Sequence, residues 1–156
     1  MNAIAAIAIA LGEALKPEFK VYAAQVLKNA QALASSLTAH GGKLVTGGTE
    51  NHMMVLDTIA SFGLDGTTAE KILDSVHLTV NKQVIPDDPN PPLRPSGIRL
   101  GSPAMTSRGF REAEMSQLGD WISQVLSNAS NVEGHRQIAQ AVSELCRKFP
   151  VPGTAF

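Results

Sequence analysis

Residues 96–101 read Ser96-Gly97-Ile98-Arg99-Leu100-Gly101, and the fold can be worked outward from them. Ile98 to Leu100 is a short strand, apolar on either side of one arginine. An arginine in this setting has two readings. It faces solvent from an edge strand, or it aims into a site that recognises a carboxylate or phosphate. The guanidinium fork meets a carboxylate in two parallel hydrogen bonds, which fixes orientation as well as charge. Glycine on both sides lets a ligand or a second backbone come close.

Upstream, residues 82–97 hold five prolines: Pro86, Pro89, Pro91, Pro92 and Pro95. Val84, Ile85 and Leu93 are interleaved with them. Proline stiffens a chain, so this stretch reads as a rigid, shaped loop rather than a flexible linker. Such loops carry function more often than helices do. Further back, Leu78–Asn81, Met53–Leu56 and Lys43–Thr46 read as three more short strands, with a turn at Gly47-Gly48. A turn at Leu64-Asp65-Gly66 precedes a helix from Thr67 to about Val76, with Ala69, Ile72, Leu73 and Val76 facing inward.

The first forty residues read as helix with a break near Lys16-Pro17, since proline suits a first helical turn. From Glu18 to His40 one face carries Phe19, Tyr22, Ala23, Val26, Ala30, Leu33 and Leu37. His40-Gly41-Gly42 stops it. Downstream, Thr106-Ser107-Arg108-Gly109 reads as a turn. A helix from about Arg111 to Leu126 follows, with Met115, Leu118, Trp121, Ile122 and Val125 on one face. A last helix from about Val132 to Phe149 carries Ile138, Val142, Leu145 and Phe149. The sum is an α+β fold: a small antiparallel or mixed sheet of three or four strands, helices on one side, and a long N-terminal helix leading in.

Composition narrows the function. The 156 residues suit one domain, and 44% are apolar, which excludes disorder. Charged residues are only 17%, against about 25% in an ordinary soluble domain. A net charge of −1 gives no bulk attraction for nucleic acid or anionic lipid. A lone cysteine, Cys146, excludes an internal disulfide framework and fits a reducing cytosol. Residues 3–11 (AIAAIAIAL) lack the basic flank of a signal peptide and are too short to span a bilayer. They read as a helix apolar on every side, which something outside the chain is expected to cover.

Local chemistry is sparse. His40, His52, His77 and His135 show no ligand spacing, so no metal site is expected. Cys146 reads as a structural thiol. No Gly-x-Ser-x-Gly elbow occurs. Gly47-Gly48-Thr49 lacks the ending of a P-loop and reads as a turn.

Several runs together resemble serine hydroxymethyltransferase, a pyridoxal-phosphate family of the aspartate-aminotransferase fold type. They are Glu13-Ala14-Leu15 with Pro17-Glu18-Phe19, then Val45-Thr46-Gly47-Gly48-Thr49-Glu50-Asn51-His52 and Thr79-Val80-Asn81-Lys82. They continue with Pro95 through Ala104, and with Thr106-Ser107-Arg108-Gly109-Phe110. The resemblance implies an interdomain helical segment at 1–40 and the C-terminal small domain at 41–156, with the large cofactor-binding domain absent. None of the seven lysines sits in the family's Thr-rich, His-Lys context. No catalytic residue and no metal ligand is therefore expected here, and the piece is expected to be inactive alone. Met1 fits either an internal methionine or a start codon.

Carried over by position, the resemblance makes Arg99 the residue that binds the amino-acid carboxylate. It makes Pro91, Pro92 and Leu93 the loop that touches folate. Gln83 falls where most members have asparagine against the pterin. Glu50 falls where aspartate is commoner. Both departures bear on the folate contact and on subfamily. Arg108 reads as structural first. The implied reaction moves the hydroxymethyl carbon of serine to tetrahydrofolate, with pyridoxal 5'-phosphate as electron sink. The implied partners are the missing large domain, a second copy in a cytoplasmic homodimer, serine or glycine, and folate. No nucleic acid or membrane partner is implied. Two alternatives stay open: a stand-alone binding or regulatory module, and a related alpha-methylserine transferase or aldolase.

Overall fold

The computed structural model describes residues 1–153, so the expected end of the domain at 154–156 lies outside the described residues. Helix α1 spans Asn2–Ala14 and α2 spans Pro17–Ala39. Strands β1 (Lys43–Leu44) and β2 (Met53–Asp57) follow. Then come α3 (Thr58–Phe62), α4 (Gly66–Ser75), β3 (Asn81–Gln83) and β4 (Gly97–Gly101). Helices α5 (Pro103–Ser107), α6 (Glu112–Ser127) and α7 (Val132–Lys148) close the chain. The expected α+β fold is observed. The sheet is antiparallel throughout, in the order β1-β2-β4-β3.

Alternation along the strands divides the sheet into two faces. Leu44, Met54, Leu56, Ile98 and Leu100 point into the core and are buried. Leu56 and Ile98 lose all their exposure, each contributing about 1.5–3 kcal/mol of transfer free energy. Lys43, Val55, Arg99, Asn81 and Gln83 lie on the opposite, open face.

Helix α2 begins at Pro17, where a missing N–H leaves no bond unmade, and Glu18 complements the helix dipole. It ends where Gly41 turns to a φ of 83° and the Gly42 amide donates to the Leu37 carbonyl at 2.9 Å. Its Ala30, Leu33, Ala34 and Leu37 pack on Met115, Leu118 and Ile122 of α6. A side chain at Gly119 would collide with Ser36, so glycine sets how closely these helices approach. Between them, the fully buried Asn29 donates to the Thr106 hydroxyl and to the Phe110 carbonyl, both at 2.8 Å. The Asn29 carboxamide oxygen accepts from Gln25 at 2.9 Å, so both ends of this buried amide are partnered and the penalty of an unmade bond is avoided.

Four local expectations shift. The run Thr58–Phe62 forms a helix that apolar periodicity did not mark. Asp57 caps it by accepting from the Ala60 amide at 2.9 Å. Strand β3 begins at Asn81 rather than Leu78. Leu78 and Val80 pack against the core instead, and the Lys82 amide donates to the Glu70 carboxylate at 3.0 Å. The turn expected at 106–109 is partly α5, and only Gly109, at a φ of 97°, makes the reversal. Phe19 lies outside the core, on the part of α2 nearest α1.

Candidate substrate-facing site

Arg99 is the middle residue of β4. That strand lies between β2 and β4's other neighbour β3, so the edge-strand reading of Arg99 does not hold. Its cross-strand partners on the open face are Val55 and Asn81. Nε donates to the Asn81 carboxamide oxygen at 3.1 Å, which aims the guanidinium. The Nη edge makes no hydrogen bond among the described residues and is exposed. It is the edge that grips a carboxylate with two donors. Arg99, Asn81, His52, His77 and Thr79 are among the residues lining a cleft of about 800 Å³, whose lining is otherwise mostly apolar and includes Met115, Leu118 and Val142.

Gln83 lies on the same face, one cross-strand row away, opposite Gly97. Its amide donates to the Val84 carbonyl at 3.2 Å. Glycine at 97 is required. A Cβ there would sit 2.8 Å from Ile85 Cγ2 and 2.9 Å from the Leu56 carbonyl oxygen. The chain leaving β3 thus folds Ile85 against Gly97.

Pro91, Pro92 and Leu93 do not line the Arg99 cleft. They form an exposed tip beyond the edge strand β3, with Leu93 80% exposed. The tip is held from outside. The Leu93 carbonyl accepts from Lys82 Nζ and from the Thr67 hydroxyl, each at 3.2 Å, and Arg94 pairs with Asp65 at 3.1 Å. The Thr68 amide and then the Arg94 guanidinium hold the Asp65 carboxyl below its ordinary range. Glu50 lines a separate cleft of about 640 Å³ formed by residues 45–55.

Sequence reasoning missed the base of this loop. Asp88 accepts from the Ser96 hydroxyl (2.6 Å), the Ser96 amide (2.9 Å), the Asn90 amide (2.9 Å) and the Ile85 amide (3.2 Å). The Ser96 hydroxyl, followed by its amide, draws the Asp88 carboxyl down to about 2. The Asp88-to-Asn90 step is an Asx-turn that Asp-Pro-Asn chemistry could have signalled. Its closure onto Ser96 has no sequence signature. Arg108, by contrast, takes the structural role expected of it. It donates to the Phe149 and Cys146 carbonyls at 2.7 and 3.1 Å and closes the end of α7.

A pyridoxal-phosphate site needs a lysine amine inside a closed pocket. Six of the seven lysines are exposed, and the half-buried Lys82 is committed to the Leu93 carbonyl. The chain's own residues do not fit that role. Among the described residues, no cluster of three His, Cys, Asp or Glu side chains could hold a metal ion. No described helix is long and apolar enough to cross a membrane.

Fold and open face together define a small α+β module, with the Arg99 fork unbonded at its Nη edge among the described residues, on a helix-backed sheet. The family model for serine hydroxymethyltransferase matches residues 1–122. The serine hydroxymethyltransferase of Microcystis aeruginosa is 47% identical over 150 residues, covering 96% of this chain and 35% of that protein. That of Xanthomonas campestris pv. campestris is 47% identical over 153 residues, covering 98% of this chain and 36% of its own length. The Acidobacterium capsulatum protein is 45% identical over the same number of residues. The chain belongs to the serine hydroxymethyltransferase family. It spans about a third of the length of the curated relatives it matches.

Proposed function

We propose that this chain supplies the substrate-carboxylate and folate side of a serine hydroxymethyltransferase, which interconverts serine and glycine with tetrahydrofolate as one-carbon carrier. The observation that carries this reading is Arg99. It sits in a central strand, its aim is set by Asn81, and its Nη edge is free on the open face. In this reading Arg99 binds the amino-acid carboxylate, and Gln83 with Pro91, Pro92 and Leu93 forms a wall for folate. Pyridoxal phosphate is held by sequence outside this chain, as the exposure of its lysines supports. The segment 1–40 joins the two parts, α1 is covered by that other part, and the complete enzyme is a cytoplasmic homodimer.

Arg99 has no proton to give or take near neutral pH, so its contribution is binding and orientation. The test is Arg99→Ala in a complete enzyme containing these residues, assayed for serine turnover with and without tetrahydrofolate. Loss of one partner of a desolvated charge pair costs about 2–5 kcal/mol. Serine affinity should therefore fall by roughly 30- to 4000-fold. Unchanged serine affinity removes the assigned role. Turnover of alpha-methylserine in preference to serine would reassign the substrate.

A further inference from the structure

We infer that Asp88 is a positioning residue for the folate wall, acting by clasping the two ends of the proline loop so that its tip, Pro91–Leu93, keeps one pose. The inference rests on the folate reading above and extends it to a residue that touches no substrate.

Proline strips the loop of backbone donors. Between Ile85 and Ser96 five residues lack an N–H, and the loop makes no strand ladder. Few backbone bonds remain to order it, among them Gly66 to the Pro95 carbonyl at 2.7 Å and Arg94 to the Pro91 carbonyl at 2.8 Å. One carboxylate adds the most, taking four donors from three residues. Ile85 lies just after β3 and Ser96 just before β4, so Asp88 fastens both stems of the loop to one group. Asn90 strengthens the closure by donating from Nδ2 to the Ser96 hydroxyl at 2.9 Å. Ser96 is itself anchored. Its carbonyl accepts from the Thr58 amide at 3.0 Å and the Thr58 hydroxyl at 2.9 Å.

The tip is thus gripped at two places. Asp88 fixes its stems from within, and Lys82, Thr67 and the Arg94–Asp65 pair fix its outer side. All four groups facing Asp88 are donors. A carboxylate satisfies them, whereas an amide would turn an NH2 toward donors at one of its two positions. Asp88→Asn therefore keeps size and shape and breaks the clasp. Ser96→Ala removes the hydroxyl and leaves three of the four bonds.

The test uses a complete enzyme containing these residues, with two readouts. First, Asp88→Asn should raise KM for tetrahydrofolate about tenfold, the scale expected when a contact surface is misplaced by a fraction of an ångström, and leave KM for serine unchanged. Ser96→Ala should show a smaller rise in the same constant. Equal shifts in both KM values, or none in either, overturn the positioning role. Second, hydrogen exchange at the Arg94 amide, which donates to the Pro91 carbonyl at 2.8 Å within the tip, should quicken in Asp88→Asn. Unchanged exchange overturns the clasp whatever the substrate. An unaltered enzyme with no tetrahydrofolate-dependent turnover overturns the folate reading, and the exchange result then stands separately.

Discussion

Helix α1 and the proline loop 84–96 are opposites. The first is the most regular stretch of the sequence: Ala, Ile and Leu residues in an unbroken helix with no buried side chain. Ile4, Ile7 and Leu11 are 66%, 59% and 63% exposed. The second has no repeating structure, yet Asp88 accepts four hydrogen bonds within it, and Pro95 and Ser96 are buried. The difference separates two things that sequence reading tends to merge. Local propensity gives a segment a shape. Tertiary partners decide whether that shape is fastened to the rest of the molecule, and for a short helix most of the stability comes from that packing. Helix α1 has the first without the second, and the loop has the second without the first.

The largest effect on stability should come from attacking the place where the loop is fastened to the body. Gly66, at the start of α4, donates its amide to the Pro95 carbonyl at 2.7 Å. A Cβ at Gly66 would collide with the Gly97 carbonyl oxygen, which is backbone and cannot rotate away. Gly66→Ala should destabilise the chain by about 3 kcal/mol, the upper part of the usual overpacking range. Urea titration measures it. A loss within experimental error would mean that the loop is free to shift, and the contrast with α1 would dissolve.

Legibility followed the same divide. Helices α2, α6 and α7 could be read because their apolar residues recur at three- and four-residue steps, and that spacing is the cause of their packing. Arg99 could be read because alternation puts it opposite Ile98 and Leu100. Its place in a central strand could not, because strand order depends on pairings far apart in sequence. β3 lies downstream of the expected strand for a physical reason: Leu78 and Val80 look like a strand but serve the core, while the polar Asn81-Lys82-Gln83 pairs with β4. The Asp88 clasp was invisible because its strongest partner lies eight residues away across prolines. The membership itself was legible in the joined motifs.

Acid should discriminate the loop next, with a smaller effect. Hydrogen bonds from Ser96, first its hydroxyl and then its amide, lower the Asp88 carboxyl from an ordinary 3.8 to about 2. A carboxyl with a depressed folded-state value contributes its full stabilisation above the unfolded value, and loses it as the pH falls through the folded one. The clasp should therefore hold at pH 4 and above and open between about pH 4 and pH 2. Asp65 moves in the same direction, so the outer pin weakens in acid as well. The proton resonances of the Ser96 and Asn90 amides, followed by NMR across this window, report the opening. Movement that is complete above about pH 5 would contradict the assignment to Asp88.

The smallest effect is expected at α1, and its smallness is informative. Replacing Ile4, Ile7 and Leu11 together by Ser removes three large apolar groups. In an ordinary core each such change would cost about 2–5 kcal/mol. Here none of the three is buried, so the whole set should change unfolding stability by no more than about 0.5 kcal/mol. Helix content by circular dichroism should fall slightly, since Ser is a weaker helix former than Leu. What should change is association. Contiguous exposed apolar surface promotes it, so the wild-type chain should aggregate on heating sooner than the triple variant. A loss of stability above about 1 kcal/mol in urea would show that α1 packs on the body of the chain, since surface substitutions do not reach that size. Equal stability with delayed aggregation would instead identify α1 as surface awaiting a partner, its low charge suited to a contact rather than to water.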